Sequence, residues 1–329
     1  MTDVNSTKAF VVVRDQGPGL DALKGAVVAL GNFDGVHLGH RQVIATAQAR
    51  AATLGAPAAV LTFEPHPRIF FKPEEPLFRL TDETNKLRLL AAAGLTGAVV
   101  MTFDAALASL SAQDFVDRIL IDRLAIAGAV VGSNFHFGRQ RTGSPDFLVA
   151  EGKRRGFALD IVPVFTHGGR PVSSGPIREA LAGGNVGQAA DLLGYPWFVA
   201  GRVIEGDKRG RELGFPTANL RLDPDCRLRY GIYAVRVGIG DQRYGGVASF
   251  GRRPMFATPT PLLEVFLFDF SGDLYGRSID VAFISWIREE MQFAGIAALI
   301  AQMDKDSAQA RAMLAAAPDA FPPLGTLVA

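Results

Sequence analysis

The feature that most constrains this chain is the decapeptide Gly31–His40, which lies between an apolar run and a helical pattern. Upstream, residues 26–30 read Ala-Val-Val-Ala-Leu, which is typical of a buried strand. Downstream, residues 41–54 repeat apolar side chains at helical spacing. The decapeptide is therefore predicted to be the turn from a strand to a helix in an α/β unit. Its glycines allow that turn to be tight and allow a ligand to approach the backbone.

Two histidines, His37 and His40, stand three residues apart at the predicted helix start. Side chains at this spacing project to one side, and a helix start offers free N–H groups that bind phosphate. The pair is therefore predicted to stabilise negative charge at a phosphorus atom. Two alternatives stay open: a zinc site completed by a distant ligand, or a helix cap beside a core histidine. The glycine spacing matches neither the dinucleotide fingerprint nor the P-loop.

Composition limits the class of protein. The chain has 329 residues, 48% of them hydrophobic, which suits two domains. A net charge of +1 gives no indication of a nucleic-acid or membrane surface, and no apolar run is long enough for a membrane span. The single cysteine, Cys226, excludes an internal disulfide, and no secretory signal is recognised. We expect a cytoplasmic protein whose partners are small molecules, not nucleic acid or membrane.

Strand and helix patterns alternate over roughly the first 190 residues, which predicts a Rossmann-like, doubly wound parallel sheet. The second buried strand ends in Phe63–Pro67, where two prolines flanking His66 are expected to hold the backbone extended and stop any helix. This segment is either a rigid turn or part of a ligand site at the strand ends. The pattern changes near residue 194, so we place the domains at 1–194 and 195–329.

Two later loops of the first half carry polar groups. Residues 133–138, Ser-Asn-Phe-His-Phe-Gly, follow another buried strand and by themselves favour a solvated aromatic loop. Residues 172–178, Val-Ser-Ser-Gly-Pro-Ile-Arg, lead into a predicted helix. There the hydroxyls of Ser173 and Ser174, with the planar guanidinium of Arg178, suit a triphosphate.

From Trp197 onward, strand-like segments joined by short turns predict an antiparallel β-barrel, followed by a C-terminal helix over residues 292–316. Thr217 and Asn219 follow a glycine-rich basic segment and face the same way on a strand. Their neutral oxygens suit Mg²⁺, although a surface loop beside a strand is an equal alternative. Glu264 is a carboxylate in a very apolar strand, which predicts either a buried edge salt bridge or a general base.

These motifs, in this order, resemble a known family. The decapeptide resembles the H-x-G-H motif of nucleotidylyltransferases in the longer form found in bacterial bifunctional riboflavin kinase/FMN adenylyltransferases (FAD synthetases). The Phe63–Pro67 segment, the two polar loops, residues 210–219 (Gly-Arg-x-Leu-Gly-Phe-Pro-Thr-Ala-Asn) and residues 263–270 (Leu-Glu-Val-x-Leu-Phe-Asp-Phe) resemble further motifs of this family. The resemblance covers nearly the whole chain.

The resemblance implies that the C-terminal domain phosphorylates riboflavin with ATP and that the N-terminal domain adenylylates FMN to FAD, releasing pyrophosphate. It implies catalytic roles for His37, His40, Arg178 and Glu264. The implied ATP-binding residues are Gly31, Asn32, Phe33, Gly39, Ser173, Ser174, Gly210, Gly214, Phe215, Pro216, Thr217 and Asn219. The implied flavin-binding residues are Phe63, Pro65, His66, Asn134, Phe135 and Arg252, and Thr217 and Asn219 would bind the Mg²⁺ that accompanies ATP.

Several positions depart from the family pattern, including Pro176, Ser249, Phe250 and Met255. Asn134 stands where aspartate is usual, Gly175 replaces a threonine, and Phe266 stands where histidine is common. Asparagine keeps a side-chain oxygen but not the charge, and glycine removes a hydroxyl from the expected phosphate site. Two other functions therefore stay open. One is a riboflavin kinase whose N-terminal domain is an impaired flavin-binding or scaffold module. The other is a different adenylyl- or cytidylyltransferase carrying an unrelated barrel.

Overall fold

The computed structural model describes residues 10–15, 20–206, 215–251 and 261–327. The described chain divides into two compact units. The first contains the described residues of Met1–Leu77, Thr81–Ser173 and Pro323–Ala329, and the second contains those of Phe78–Leu80 and Ser174–Pro322.

The first unit is built on a six-stranded sheet in which every neighbouring pair is parallel. Its strands are β1 (Val11–Arg14), β2 (Val27–Leu30), β3 (Ala58–Glu64), β4 (Gly97–Thr102), β5 (Gly128–Gly132) and β6 (Ala158–Val162). Their order in the sheet is β1-β4-β3-β2-β5-β6. The predicted doubly wound parallel sheet is thus confirmed. The central strands are almost entirely buried, which explains their continuous apolar runs.

Helices connect these strands. They are α1 (Leu38–Leu54), α2 (Pro67–Phe71), α3 (Glu83–Ala92), α4 (Ala105–Ser109), α5 (Ala112–Asp114), which continues as a π-helix over Phe115–Arg123, and α6 (Pro145–Arg155). Short 3-10 turns cover Leu20–Leu23 and Arg139–Arg141. A small hairpin pairs β7 (Thr166–His167) with β8 (Arg170–Pro171).

The sheet reverses its winding direction between β2 and β5. Val27 of β2 pairs with Ala58 of β3 on one side and with Gly128 of β5 on the other. The loops that follow β2 and β5 therefore leave the same sheet edge at the point where doubly wound sheets bind ligands. The histidine decapeptide follows β2, and Asn134 follows β5.

The expectation that the two prolines stop any helix is wrong at Pro67. This residue opens the five-residue helix α2, and His66 caps it by accepting the backbone N–H of Arg68 at its Nδ1, 3.1 Å away. Proline is well tolerated at the first helical position, because its fixed φ suits the helix and its missing N–H is not needed there. Only the backbone before Pro67 is extended.

The second unit is an antiparallel, nearly closed barrel. Its strands are β9 (Phe198–Arg202), β10 (Thr217–Arg221), β11 (Gly231–Ile239), β12 (Gln242–Gly251), β13 (Leu262–Leu267) and β14 (Ser278–Arg288). Their order is β10-β13-β12-β11-β14-β9. An antiparallel bridge between Ile204, just beyond β9, and Asn219 of β10 links the two edges. The barrel prediction is confirmed.

The described residues of the second unit form three helices: α7 (Ser174–Ala182), α8 (Val186–Leu193) and α9 (Ile296–Ala316). Helix α9 packs on the barrel through Ala310 and Leu314, which lie in a buried cluster with Ala234 and Phe268. The predicted C-terminal helix is therefore present, and it starts at Ile296 instead of residue 292. The fold class, α/β followed by a β-barrel with a terminal helix, is as predicted.

Candidate active sites

His37 caps helix α1. Its Nδ1 accepts the backbone N–H of His40 at 3.2 Å, which satisfies one of the free N–H groups at the helix start. A neutral imidazole that accepts at Nδ1 carries its proton on Nε2. Capping therefore leaves the Nε2–H of His37 as a donor, so the cap alternative and the phosphate role are compatible.

His40 stacks on His37. The two ring centroids are 3.6 Å apart at an interplanar angle of 15°, and the ring of Phe33 lies 5.2 Å from that of His40. Burial lowers the pKa of His40 well below its usual value, and electrostatic interactions with His37 and Lys86 lower it further. The imidazole of His40 is therefore neutral at neutral pH. Its Nδ1 is buried, and none of the described residues forms a hydrogen bond with it.

The decapeptide is held in a strained, close-packed conformation. Phe33 has a φ of 53° and Val36 a φ of 37°, values that favour glycine. A Cβ on Gly39 would lie 3.2 Å from the ring of His37 and 3.3 Å from the carbonyl oxygen of Val172, so a side chain there would crowd the histidine. Glycine at position 39 thus permits the stacked arrangement.

Two hydrogen bonds tie the decapeptide to the segment before α3. The buried carboxylate of Asp34 accepts the backbone N–H of Thr81 at 3.1 Å, and the N–H of Gly35 donates to Thr81 Oγ1 at 3.1 Å. Within the described residues, no group of three or more histidine, cysteine, aspartate or glutamate side chains is placed to hold a metal. The zinc alternative therefore gains no support from the described part of the chain.

The predicted flavin-binding residues of the first unit lie at the end of β3, just beyond it, and after β5. Phe63 is buried, and its ring lies 5.8 Å from that of Phe103. Asn134 precedes Phe135, whose ring stacks on that of Phe137 at 5.7 Å. The structure thus places both segments after strands at the ligand-binding edge of the sheet. The exposed rings of Phe70 and Phe71, which pack on Phe103 at 5.5 Å, were missed by sequence reasoning.

The second predicted phosphate segment falls across the division between the units. Ser173 is the last residue of its range in the first unit, whereas Ser174 opens α7 in the second. Also in the second unit, Arg178 Nε donates to the carbonyl oxygen of Phe78 at 2.5 Å. The phosphate contacts of Ser173, Ser174 and Arg178 stay predictions.

In the second unit, predicted residues line a cavity of about 640 Å³. Thr217, Asn219 and Glu264 all reach it, and the register of β10 with β13 sets Asn219 opposite Glu264. Asn219 is buried, and its Oδ1 has no hydrogen-bond partner among the described residues. Pro216 also lines the cavity, while the ring of Phe215 packs on that of Phe266 at 5.0 Å.

Sequence reasoning missed three further residues that line this cavity, Arg288, Glu290 and Asp306. Arg288 holds the buried Asp306 with two hydrogen bonds of 2.8 and 2.6 Å. Burial raises the pKa of Glu290, as does the charge of Glu264, while Arg288 opposes the rise. Two carboxyl groups distant in sequence therefore interact in one cavity, and no local spacing signals this.

Comparison with known proteins decides the family. The family described as FAD synthetase matches residues 20–176, and the family described as riboflavin kinase matches residues 193–314. The bifunctional riboflavin kinase/FMN adenylyltransferase of Pseudomonas fluorescens is 44% identical over 296 residues, which cover 89% of this chain and 94% of that protein. The chain belongs to the bifunctional riboflavin kinase/FMN adenylyltransferase family.

Other members of this family are similarly close. The Escherichia coli K12 protein is 40% identical over 88% of this chain and 92% of its own length, and the Bacillus subtilis protein is 39% identical over 87% and 91%. A solved structure titled a macrolide-efflux protein from Streptococcus pneumoniae has a TM-score of 0.81 and 31% identity, covering 92% of this chain and 99% of that one. Among the described residues, no helix is long and apolar enough to cross a bilayer.

Three residues that the family resemblance assigns to ligands fall outside the described ranges. They are Gly210 and Gly214 of the glycine-rich segment and Arg252 after β12. Their roles stay predictions.

Sequence reasoning also missed a buried ion pair beside the histidines. Lys86 Nζ lies 2.7 Å from Glu64 Oε1, and the two side chains are 2% and 10% exposed. One signal was present in the sequence: Lys86 precedes Leu87 on the helix and shares its apolar side with Leu89 and Leu90, all of which are buried. A lysine on the apolar side of an amphipathic helix indicates a buried charge with a partner.

Proposed function

We propose that this chain makes FAD from riboflavin in two ATP-dependent steps, one in each of the domains 1–194 and 195–329. The C-terminal domain phosphorylates the terminal hydroxyl of riboflavin to give FMN, and the N-terminal domain joins AMP from ATP to the FMN phosphate. The proposal rests on one observation: each candidate site lies in the part of the chain that matches the corresponding family. The stacked imidazoles lie in the part that matches FAD synthetase, and the cavity with Glu264 lies in the part that matches riboflavin kinase.

In the kinase step, Glu264 orients the riboflavin hydroxyl and accepts its proton as the oxygen attacks the γ-phosphorus of ATP. The bond from that phosphorus to the ADP oxygen breaks, so ADP leaves. Placement and charge stabilisation dominate such transfers. The buried Oδ1 of Asn219, for which the described part of the chain supplies no hydrogen-bond partner, and the side chain of Thr217 suit Mg²⁺, which prefers oxygen ligands. When bound with ATP, Mg²⁺ would neutralise charge on the phosphates.

In the adenylyl-transfer step, a phosphate oxygen of FMN attacks the α-phosphorus of ATP, and the bond to pyrophosphate breaks. The Nε2–H of His37, the neutral imidazole of His40 and the free N–H groups at the start of α1 supply donors for the phosphate oxygens. No covalent intermediate with the protein is needed. The family resemblance adds Arg178 and Ser174 as phosphate-binding residues.

One assay tests this proposal. Protein is incubated with riboflavin, ATP and Mg²⁺, and the flavins are separated by chromatography. FAD is the expected product. Accumulation of FMN alone would instead favour a kinase with an impaired N-terminal domain, the alternative raised by Gly175 and Asn134. Unchanged riboflavin would favour a different nucleotidylyltransferase.

Asn219→Ala is expected to weaken the use of Mg²⁺ in the kinase step, because it removes a buried oxygen that no other described residue binds. The Mg²⁺ concentration for half-maximal FMN formation should rise at least about tenfold. Adenylylation of supplied FMN should be unchanged and serves as the control. An unaltered Mg²⁺ dependence would remove Asn219 from the metal site.

The domain limits and the location of the protein are proposed on separate grounds. We keep 1–194 and 195–329 as the two functional domains, since each range contains the full set of described residues proposed for its step. The cytoplasm stays the predicted location because the one cysteine fits a reducing compartment. Burial raises the pKa of the Cys226 thiol to about 11, which keeps it in the unreactive protonated form.

A further inference from the structure

Lys86 is a buried lysine that the mechanism above does not use. Its Nζ lies 2.7 Å from Glu64 Oε1 and 3.1 Å from Thr62 Oγ1. It also lies 3.4 Å from the carbonyl oxygen of Phe63 and 3.5 Å from that of Asn32. Thr62 Oγ1 in turn donates to the Asn32 carbonyl at 3.1 Å. The ammonium group thus joins the end of β3 to the first residues of the decapeptide.

Stability alone does not explain this ion pair. Burying an ammonium and a carboxylate costs solvation energy that their attraction rarely exceeds, and well-packed apolar residues often replace such a pair without loss. The side chain of Lys86 is only 2% exposed and that of Glu64 only 10%. An ion pair that is so deeply buried is expected to have a role besides folding, and its contacts indicate that role.

Two paths lead from Lys86 to His40. The first is mechanical: Lys86 holds the carbonyl of Asn32, and the next residue, Phe33, has a φ of 53° and packs its ring 5.2 Å from that of His40. The second is electrostatic: after burial and the interaction with His37, the charge of Lys86 lowers the pKa of His40. His37 at the helix start and Lys86 on α3 are the two titratable groups whose interactions lower this pKa.

We propose that Lys86 is a positioning residue for adenylyl transfer, which fixes the imidazole of His40 through Asn32 and Phe33. This inference rests on the proposed role of the histidine pair. A His40 ring held in one orientation presents its donor to the phosphates before they arrive, which is how a preorganised site lowers a barrier. Glu64 keeps the ammonium group in place.

The test compares Lys86→Met with wild type and with Lys24→Met. Lys24 is a suitable control because its side chain is 51% exposed and pairs with Asp21. We expect Lys86→Met to lower kcat for adenylylation of FMN at least tenfold while FMN formation from riboflavin is unchanged. We expect Lys24→Met to behave as wild type, and Lys86→Arg, which keeps the charge, to recover much of the rate.

The second readout is the pKa of the His40 ring, measured by NMR titration. The His40 signal is identified as the one that is absent from His40→Gln. Removing a nearby cation makes protonation of the imidazole easier, so the pKa of His40 should rise in Lys86→Met. It should stay low in Lys86→Arg and Lys24→Met. If the role of Lys86 were purely structural, the pKa of His40 would be unchanged in Lys86→Met.

Should Lys86→Met fail to fold, Lys86→Met with Glu64→Gln removes both buried charges and is measured in its place. Wild-type adenylylation together with an unchanged His40 titration, in either variant, would overturn the proposal. If the proposed function itself is wrong, the result is different: the wild-type protein makes no FAD. In that case the shift of the His40 titration still decides whether Lys86 acts on this ring.

Discussion

His40→Ala is expected to stop FAD formation while FMN continues to accumulate from riboflavin and ATP. The substitution removes the ring that stacks on His37 at 3.6 Å, and with it a preorganised donor beside the start of α1. Loss of one such donor typically lowers the rate by about 10²–10³-fold. The rate is measured with FMN and ATP supplied directly, and riboflavin phosphorylation is measured on the same sample.

The matched control is His167→Ala. His167 is an exposed histidine on the β7–β8 hairpin of the same unit, outside the decapeptide. It should leave both products unchanged. Loss of FMN and FAD together in His40→Ala would indicate a single shared site, and undiminished FAD would show that His40 takes no part in the chemistry.

Glu264→Gln is expected to abolish riboflavin phosphorylation while supplied FMN is still converted to FAD. Glutamine keeps the size of the side chain on β13 but cannot accept the hydroxyl proton. General-base loss typically lowers a rate by about 10²–10⁴-fold. The pKa of Glu290 should also fall toward its ordinary value, because the charge of Glu264 is one cause of its rise.

Glu289→Gln serves as the control for this substitution. Glu289 stands between Arg288 and Glu290, which line the cavity, yet its own side chain is 69% exposed and pairs with Arg229 at 2.5 Å. Its loss should leave phosphorylation intact. Full kinase activity in Glu264→Gln would exclude this carboxylate as the base, and a fall of both activities would indicate that the two steps are not independent.

The sequence by itself predicted the elements whose causes are local. The apolar run before Gly31 and the helical spacing after His40 gave the β2–α1 turn, because burial and periodicity act over a few residues. The same holds for the alternation that predicted the parallel sheet and for the short strands that predicted the barrel. The sequence pointed to His37 and His40 because both lie at the start of a helix that the local pattern already predicts.

The tertiary structure alone decided which distant groups meet. Lys86 and Glu64 are 22 residues apart, and only the packing of α3 against the end of β3 buries them together. The pairing of Asn219 with Glu264 depends on strand register, and the pKa of Glu290 depends on a carboxylate from another strand. Sequence patterns record what each residue prefers locally. The free energy of a buried charge depends instead on the neighbours that the whole fold brings to it.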